Sequence, residues 1–152
     1  MKTVSILGCG WLGLPLAEYL LGKGYGVKGS TRTPESLAAL KAAGIEAFYI
    51  SLDPGLSGGD DVDRFFESDI LVVNFPPERR DDIVDFHTAQ IRSLIARIEK
   101  FPVKNVIFVS STSVYPELGR DVFEDEESPP EKASGKALVI AERLLLTNPA
   151  LE

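Results

Sequence analysis

The sequence predicts an α/β fold, a doubly wound parallel sheet with helices on both faces in a single domain. Three observations carry that prediction. Short apolar, β-branched runs alternate with longer segments of helical period. A glycine loop, Gly8-Cys9-Gly10-Trp11-Leu12-Gly13, joins the first run to the first helical segment. The chain has 152 residues, 44% hydrophobic and 26% charged, which suits one soluble domain with its own core.

The elements follow in order. Val4-Ser5-Ile6-Leu7 reads as a buried strand. Leu14 to Lys23 places Leu16, Leu20 and Leu21 on one helical side, and Gly24 suits its C-cap. Gly26 to Ser30 is a second strand. Pro34 takes the first turn of a helix that runs through Glu35 to Ala43 and ends at Gly44. Ile45 to Leu52 is a third strand, followed by the turn-rich Asp53-Pro54-Gly55 and Ser57-Gly58-Gly59. Asp60 to Glu67 is a short helix. Asp69 to Phe75 is a fourth strand, stopped by Pro76-Pro77. Asp81 to Lys100 carries the stripe Ile83, Phe86, Ile91, Leu94, Ile95 and Ile98, and Val103 to Ser110 is a fifth strand. A long charged loop over 116–130 precedes a last helix, Glu131 to Thr147; loops of that length are commonly functional. Right-handed crossovers then give at least five parallel strands in the order 3-2-1-4-5.

Composition excludes several classes. The 16 Lys+Arg and 23 Asp+Glu give a net charge of −7, which argues against holding nucleic acid by the overall field. Any bound anion must be held by local geometry. Cys9 is the single cysteine, so no intrachain disulfide forms, which fits a reducing compartment. No apolar run reaches the roughly 18 residues of a membrane span, and the N-terminus lacks a signal-peptide pattern, so the expected location is cytoplasmic. Leu151-Glu152 reads as a tag remnant. On that reading residues 1–150 are the dinucleotide-binding domain, and a natural C-terminal substrate region is absent.

The glycine loop carries the chemistry. It follows a strand and opens a helix within a βαβ unit of about 30 residues, the context that gives this motif its meaning. Gly8 permits the turn off the strand, Gly10 lets a pyrophosphate approach the backbone, and Gly13 lets the helix pack close to the sheet. The helix start then offers free N–H groups and a positive dipole end. Trp11 and Leu12 line or flank that site. Cys9 reads as a small mid-loop residue, since no histidine lies near to activate it.

Roughly 20 residues after such a loop, an acid usually holds the ribose hydroxyls of NAD. Here stand Ser30-Thr31-Arg32-Thr33, with no acid before Glu35. A guanidinium grips a 2′-phosphate, whereas a carboxylate repels it. A contact of that kind is worth ~1.5–3 kcal/mol, a discrimination of about tenfold to a hundredfold. NADP is therefore expected over NAD, read by Arg32 and Ser30, with a solvated surface arginine as the bland alternative.

These pieces resemble the short-chain dehydrogenase/reductase superfamily, in particular its extended and atypical members, the NAD-dependent epimerase/dehydratase family. The resemblance rests on the glycine loop, on Val27, Gly29 and Arg32, and on Asp69 to Val73. It rests also on Val109-Ser110-Ser111-Thr112-Ser113-Val114-Tyr115-Pro116 and on Pro129-Pro130 through Ser134-Gly135-Lys136 to Glu142. The loop itself is similar to a subgroup in which Gly-Cys/Leu-Gly-Trp-Leu-Gly is common. The resemblance implies that Ser111 orients a substrate carbonyl or hydroxyl and that Lys136 holds the nicotinamide ribose. It also implies a tyrosine four residues before that lysine as general acid/base, but Lys132 stands there. Tyr115 is the available substitute. The segment Asn74-Phe75-Pro76-Pro77 falls where the family's loop passes the cofactor, and Asp53 where an acid often meets adenine. Helices 81–100 and 131–147 are those that pair in family homodimers.

Other groups read more plainly. His87 is expected at the surface or partly buried on its helix. Glu124-Asp125-Glu126-Glu127 is expected to be a solvated loop face, and no His/Cys cluster suggests a metal. Two functions stand. One is an NADP(H)-binding oxidoreductase or nucleotide-sugar epimerase/dehydratase-like protein acting on a small carbonyl or hydroxyl substrate. The other is a dinucleotide-binding module without hydride chemistry, favoured by Lys132.

Overall fold

Strand β1 (Thr3–Leu7) is buried from Val4 to Leu7, as befits a central strand covered on both faces. The computed structural model, which describes residues 1–103 and 105–151, continues with α1 (Gly13–Gly22), β2 (Gly26–Thr31), α2 (Pro34–Ala42) and β3 (Glu46–Leu52). There follow β4 (Leu56–Gly58), α3 (Val62–Phe66), β5 (Ile70–Val73), α4 (Ile83–Ile98), β6 (Asn105–Phe108), a single 3-10 turn (Thr112–Val114) and α5 (Ala133–Leu146). Lys104, inside the strand expected over 103–110, and Glu152, half of the expected tag remnant, lie outside the described residues.

The strands lie in the order β4-β3-β2-β1-β5-β6, and every pairing is parallel except that of β3 with β4. The five expected strands are β1, β2, β3, β5 and β6, in the expected order. The sixth is a correction. Residues 56–58, expected as turn, pair antiparallel with β3 through the Asp53-Pro54-Gly55 turn, with Ile50 opposite Gly58. A three-residue strand is too short to show alternation. Its glycine is required, since a Cβ on Gly58 would lie 2.7 Å from Val62 Cγ2 and 2.8 Å from the Tyr49 carbonyl oxygen.

Alternate residues of the strands feed two cores. Val4, Ile6, Val27 and Val72 pack with Ala17 and Leu40 beneath α1 and α2. Leu7, Phe48, Ile50 and Val73 pack with Phe65, Phe66, Leu94 and Ile98 beneath α3 and α4. Polar side chains hold the short α3 to the sheet: Ser5 Oγ donates to the Phe65 carbonyl at 2.6 Å, and Lys28 Nζ donates to the carbonyls of Arg64 and Glu67. Helix α2 starts as its sequence dictates, with Thr33 Oγ1 accepting from the Ser36 N–H and Pro34 in the first turn. No described helix is long and apolar enough to cross a membrane.

Helix α5 docks on the 3-10 turn through Gly135. A Cβ there would meet the Ser113 carbonyl oxygen at 2.0 Å and Pro130 Cβ at 2.9 Å, whereas one on Gly22 in α1 meets nothing within 4 Å. Helix propensity alone favours alanine at both positions. Gly22→Ala should therefore stabilise the fold by about 0.5–1 kcal/mol. Gly135→Ala should destabilise it by about 1–3 kcal/mol, because backbone must move. Thermal unfolding checks this; stabilisation by both substitutions would contradict the packing at Gly135.

Candidate functional site

The carboxyl ends of β1, β2, β5 and β6 open onto one cleft of about 680 Å³, within the range of small-ligand sites. Of the residues singled out in the sequence, Gly8, Gly10, Trp11, Leu12, Ser30, Arg32, Asn74 and Ser111 line it. Gly13, Tyr115 and Lys136 lie outside the lining.

Close backbone contacts shape the mouth. Gly8 has φ +99°, and a Cβ on it would lie 2.3 Å from the Asn74 carbonyl oxygen. A Cβ on Gly13 would lie 2.4 Å from the Gly8 carbonyl oxygen, so the third glycine of the motif lets α1 approach the loop, as expected. Asn74 Nδ2 donates to that same carbonyl at 3.0 Å. Gly10 differs: a Cβ there meets no protein atom within 4 Å, so packing does not demand glycine.

Helix α1 begins without an anion of its own. Leu12 at its N-cap makes no side-chain cap, and its first turn holds no acid. The first helical hydrogen bond runs from Leu14 N–H to Gly10 O at 3.0 Å, which leaves the amides before it without an intrahelical acceptor. Trp11 projects from this turn 93% exposed, at the edge of the cleft.

The end of β2 is stitched to the loop. Ser30 is buried; its Oγ accepts from Gly8 N–H at 3.0 Å, and its carbonyl accepts from Cys9 N–H at 2.8 Å. Ser30 thus holds the loop, and Arg32 is the exposed group beyond it. Among the described residues lining the cleft, Arg32 is the one cation and Glu78 the one anion, and Arg32 Nη1 donates to Glu78 Oε1 at 3.1 Å.

Ser111 stands past the end of β6, where its Oγ accepts from Ser113 N–H at 3.2 Å and caps the 3-10 turn. Tyr115 ends that turn, half-buried; Lys136 is exposed in the first turn of α5. Lys132 is the N-cap of α5, with extended backbone and no side-chain cap. It therefore sits before the helix and not within it. Asp53 N–H donates to Gly55 O in the hairpin turn, away from the cleft lining.

Several residues were not singled out in advance. Ser110 Oγ donates to Glu142 Oε1 at 2.5 Å and ties the end of β6 to α5. Gln90 reaches the cleft from α4, with Nε2 donating to Leu52 O at 2.8 Å and Oε1 3.0 Å from His87 Nδ1. That pattern assigns the imidazole proton to Nδ1. His87, expected at the surface or partly buried, is fully buried against Phe75, and burial pushes its pKa down. The reason is periodicity: His87 lies four residues from both Ile83 and Ile91, and Gln90 four from both Phe86 and Leu94. Polar residues on apolar rows were the available signal. In the loop over 116–130, Glu126 is not simply solvated. Hydrogen bonds from Ser128 and Arg120 hold its pKa down to about 2.

The family model described as NAD dependent epimerase/dehydratase matches residues 4–137. Protein YeeZ of Escherichia coli K12 is 34% identical over 139 residues, covering 91% of this chain and 51% of YeeZ, so the chain spans about half the length of the curated relatives it matches. Two solved structures share the fold at lower identity. Yeast methylglyoxal/isovaleraldehyde reductase Gre2, complexed with NADPH, superposes with TM-score 0.67 at 19% identity, covering 98% of this chain and 54% of that one. A short-chain dehydrogenase/reductase superfamily protein from Agrobacterium tumefaciens, with bound NAD, gives TM-score 0.74 at 22% identity, covering 99% and 47%.

Cys9 is buried, and burial pushes its thiol pKa up to about 12. The thiolate is the reactive form. At pH 8 the folded protein should therefore react with iodoacetamide at least about a hundredfold more slowly than the urea-unfolded chain. Equal labelling rates by mass spectrometry would contradict the burial of Cys9 and make it a reactive thiol.

Proposed function

The chain belongs to the NAD-dependent epimerase/dehydratase family, and from that premise we propose that its cleft binds a nicotinamide dinucleotide, NADP(H) in preference to NAD(H). The observation that carries the reading is the start of α1: no cap, no acid in its first turn, and open space over Gly10. In a chain of net charge −7, such a helix start favours a diphosphate through its free amides and dipole and sets no acid of its own against it. Arg32 supplies the guanidinium for a 2′-phosphate. Relatives of this fold carry NADPH or NAD in their solved complexes, so both cofactors suit the architecture.

The associated activity is that of an oxidoreductase or an epimerase/dehydratase-like enzyme on a small carbonyl or hydroxyl compound. A bound nicotinamide supplies or accepts the hydride. Ser111 is the hydroxyl at the cleft that orients the substrate oxygen. The remaining family roles, ribose holding and proton transfer, fall in this reading to Lys136 of α5 and Tyr115 at the end of the 3-10 turn, both outside the cleft lining and so reaching a ligand only from its rim. A second reading, a binding module without hydride chemistry, is favoured by one observation: Lys132 stands where the family has its tyrosine, and an ammonium has no lone pair to accept a proton.

Trp11 is the only tryptophan and borders the cleft, so its emission reports binding directly. Titration with NADPH and NADH should quench it, with NADPH bound about tenfold more tightly and that margin lost in Arg32→Ala. Equal affinities in the wild type would defeat phosphate reading; absence of quenching together with absence of calorimetric heat would defeat binding. Turnover separates the two readings. NADPH oxidation across a panel of carbonyl compounds should fall at least about tenfold in Ser111→Ala if the chain is an enzyme, since a substrate-orienting hydrogen bond is lost. Tight NADPH binding with no turnover on any carbonyl would leave the binding module.

A further inference from the structure

We propose that Glu78 sets the cleft's discrimination between phosphorylated and unphosphorylated dinucleotides by competing with the ligand for Arg32. The inference rests on the dinucleotide reading and adds to it a residue on the opposite lip of the cleft. Arg32 lies just past β2 and Glu78 in the segment after β5; these strands flank β1, whose end carries the glycine loop. The Arg32–Glu78 pair therefore bridges the two sides of the mouth. Its side chains are 65% and 40% exposed, and exposed ion pairs are weak and readily exchanged.

A guanidinium that donates to a carboxylate can donate to a phosphate along the same N–H directions. Arg32 spends Nη1 on Glu78, so a 2′-phosphate must displace that carboxylate or share the guanidinium with it, and in either case the carboxylate repels the new dianion from close by. An uncharged ribose 2′-hydroxyl meets no such opposition and leaves the pair intact. Arg80 lies within electrostatic reach of Glu78. It does not relieve the conflict, because its guanidinium already donates twice to Asp82, at 2.5 and 3.2 Å, and stacks on the Phe86 ring. Arg32 thus favours the phosphorylated cofactor and Glu78 opposes it, and the preference observed is their difference.

The test is Glu78→Gln, which keeps size and hydrogen-bonding capacity and removes the charge. Both cofactors are titrated through Trp11 emission. NADPH should bind about three- to tenfold more tightly than to wild type, with NADH changed less than about twofold. The gain should shrink in 1 M salt, where the Debye length is about 3 Å. Unchanged NADPH affinity in Glu78→Gln, alongside weakened NADPH binding in Arg32→Ala, would overturn the role of Glu78 and leave the dinucleotide reading standing. Selective weakening of NADH in Glu78→Gln would make Glu78 an acceptor for the ribose hydroxyl, and would also overturn it. Wild type that binds neither cofactor would remove the underlying reading as well.

Discussion

Three stretches of backbone meet at the carbonyl of Gly8. The end of β1 supplies it, the start of α1 rests on it through Gly13, and Asn74 beyond β5 hydrogen-bonds to it. The contact leaves no room for a side chain between them. A Cβ at position 8 would strike Asn74, and one at position 13 would strike Gly8, both at distances under 2.5 Å. This contact is what brings a helix start to the point where the sheet changes direction, with β2 on one side of β1 and β5 on the other. Open parallel sheets bind ligands at that crevice because the loops from neighbouring strands diverge there. The cleft exists because the glycines let α1 begin so near the strand ends.

Polar groups near this point hold protein backbone. Ser30 receives the Gly8 amide, and Asn74 satisfies the Gly8 carbonyl, so both side chains rigidify the loop from its flanks. Facing the opening are a helix end, a bare glycine, an indole and one guanidinium paired with the Glu78 carboxylate. Groups positioned by a rigid frame recognise a ligand with little ordering cost at binding. Cys9 fits the same account: its sulfur fills the space beneath Gly29, where a Cβ on residue 29 would come within 2.8 Å of it. Its small size and burial serve packing.

Much of this was legible in the residues. Strand order followed from the alternation of runs and the handedness of crossovers, and the role of Gly13 followed from motif spacing. The parts that were not legible share a physical reason. Strand β4 takes its pairing from β3 across a turn, and three residues of Leu-Ser-Gly show no period of their own. Glu78 meets Arg32 across 46 residues of sequence, and nothing local marks either as the other's partner. Gln90 and His87 could have been placed, because both interrupt apolar rows of α4, and a polar residue in such a row is buried with a partner or not buried at all. Gly135 lies in the first turn of α5, where its sequence gives no reason for a glycine; the reason is the close approach of the Ser113 carbonyl and of Pro130.

The helix starts divide along the same line as the chemistry. Helices α2, α3 and α4 each carry an acid in the first turn, Glu35, Asp63 and Asp85, as the macrodipole favours. Helices α1 and α5 carry none. Acids are in excess in this chain, so their absence from two helix starts is not a matter of supply. Both helices contribute to the cleft, α1 through its opening turn and α5 through Leu138. Helix α5 goes further, with Lys132 at its N-cap and Lys136 in its first turn, where cations oppose the dipole and the lysine makes no cap. Helix stability explains neither lysine. A fold that places an acid in the first turn of its other helices and none in these two leaves their dipole ends uncompensated there, beside the cleft, which is the local feature the proposed anionic cofactor would use in a molecule of net negative charge.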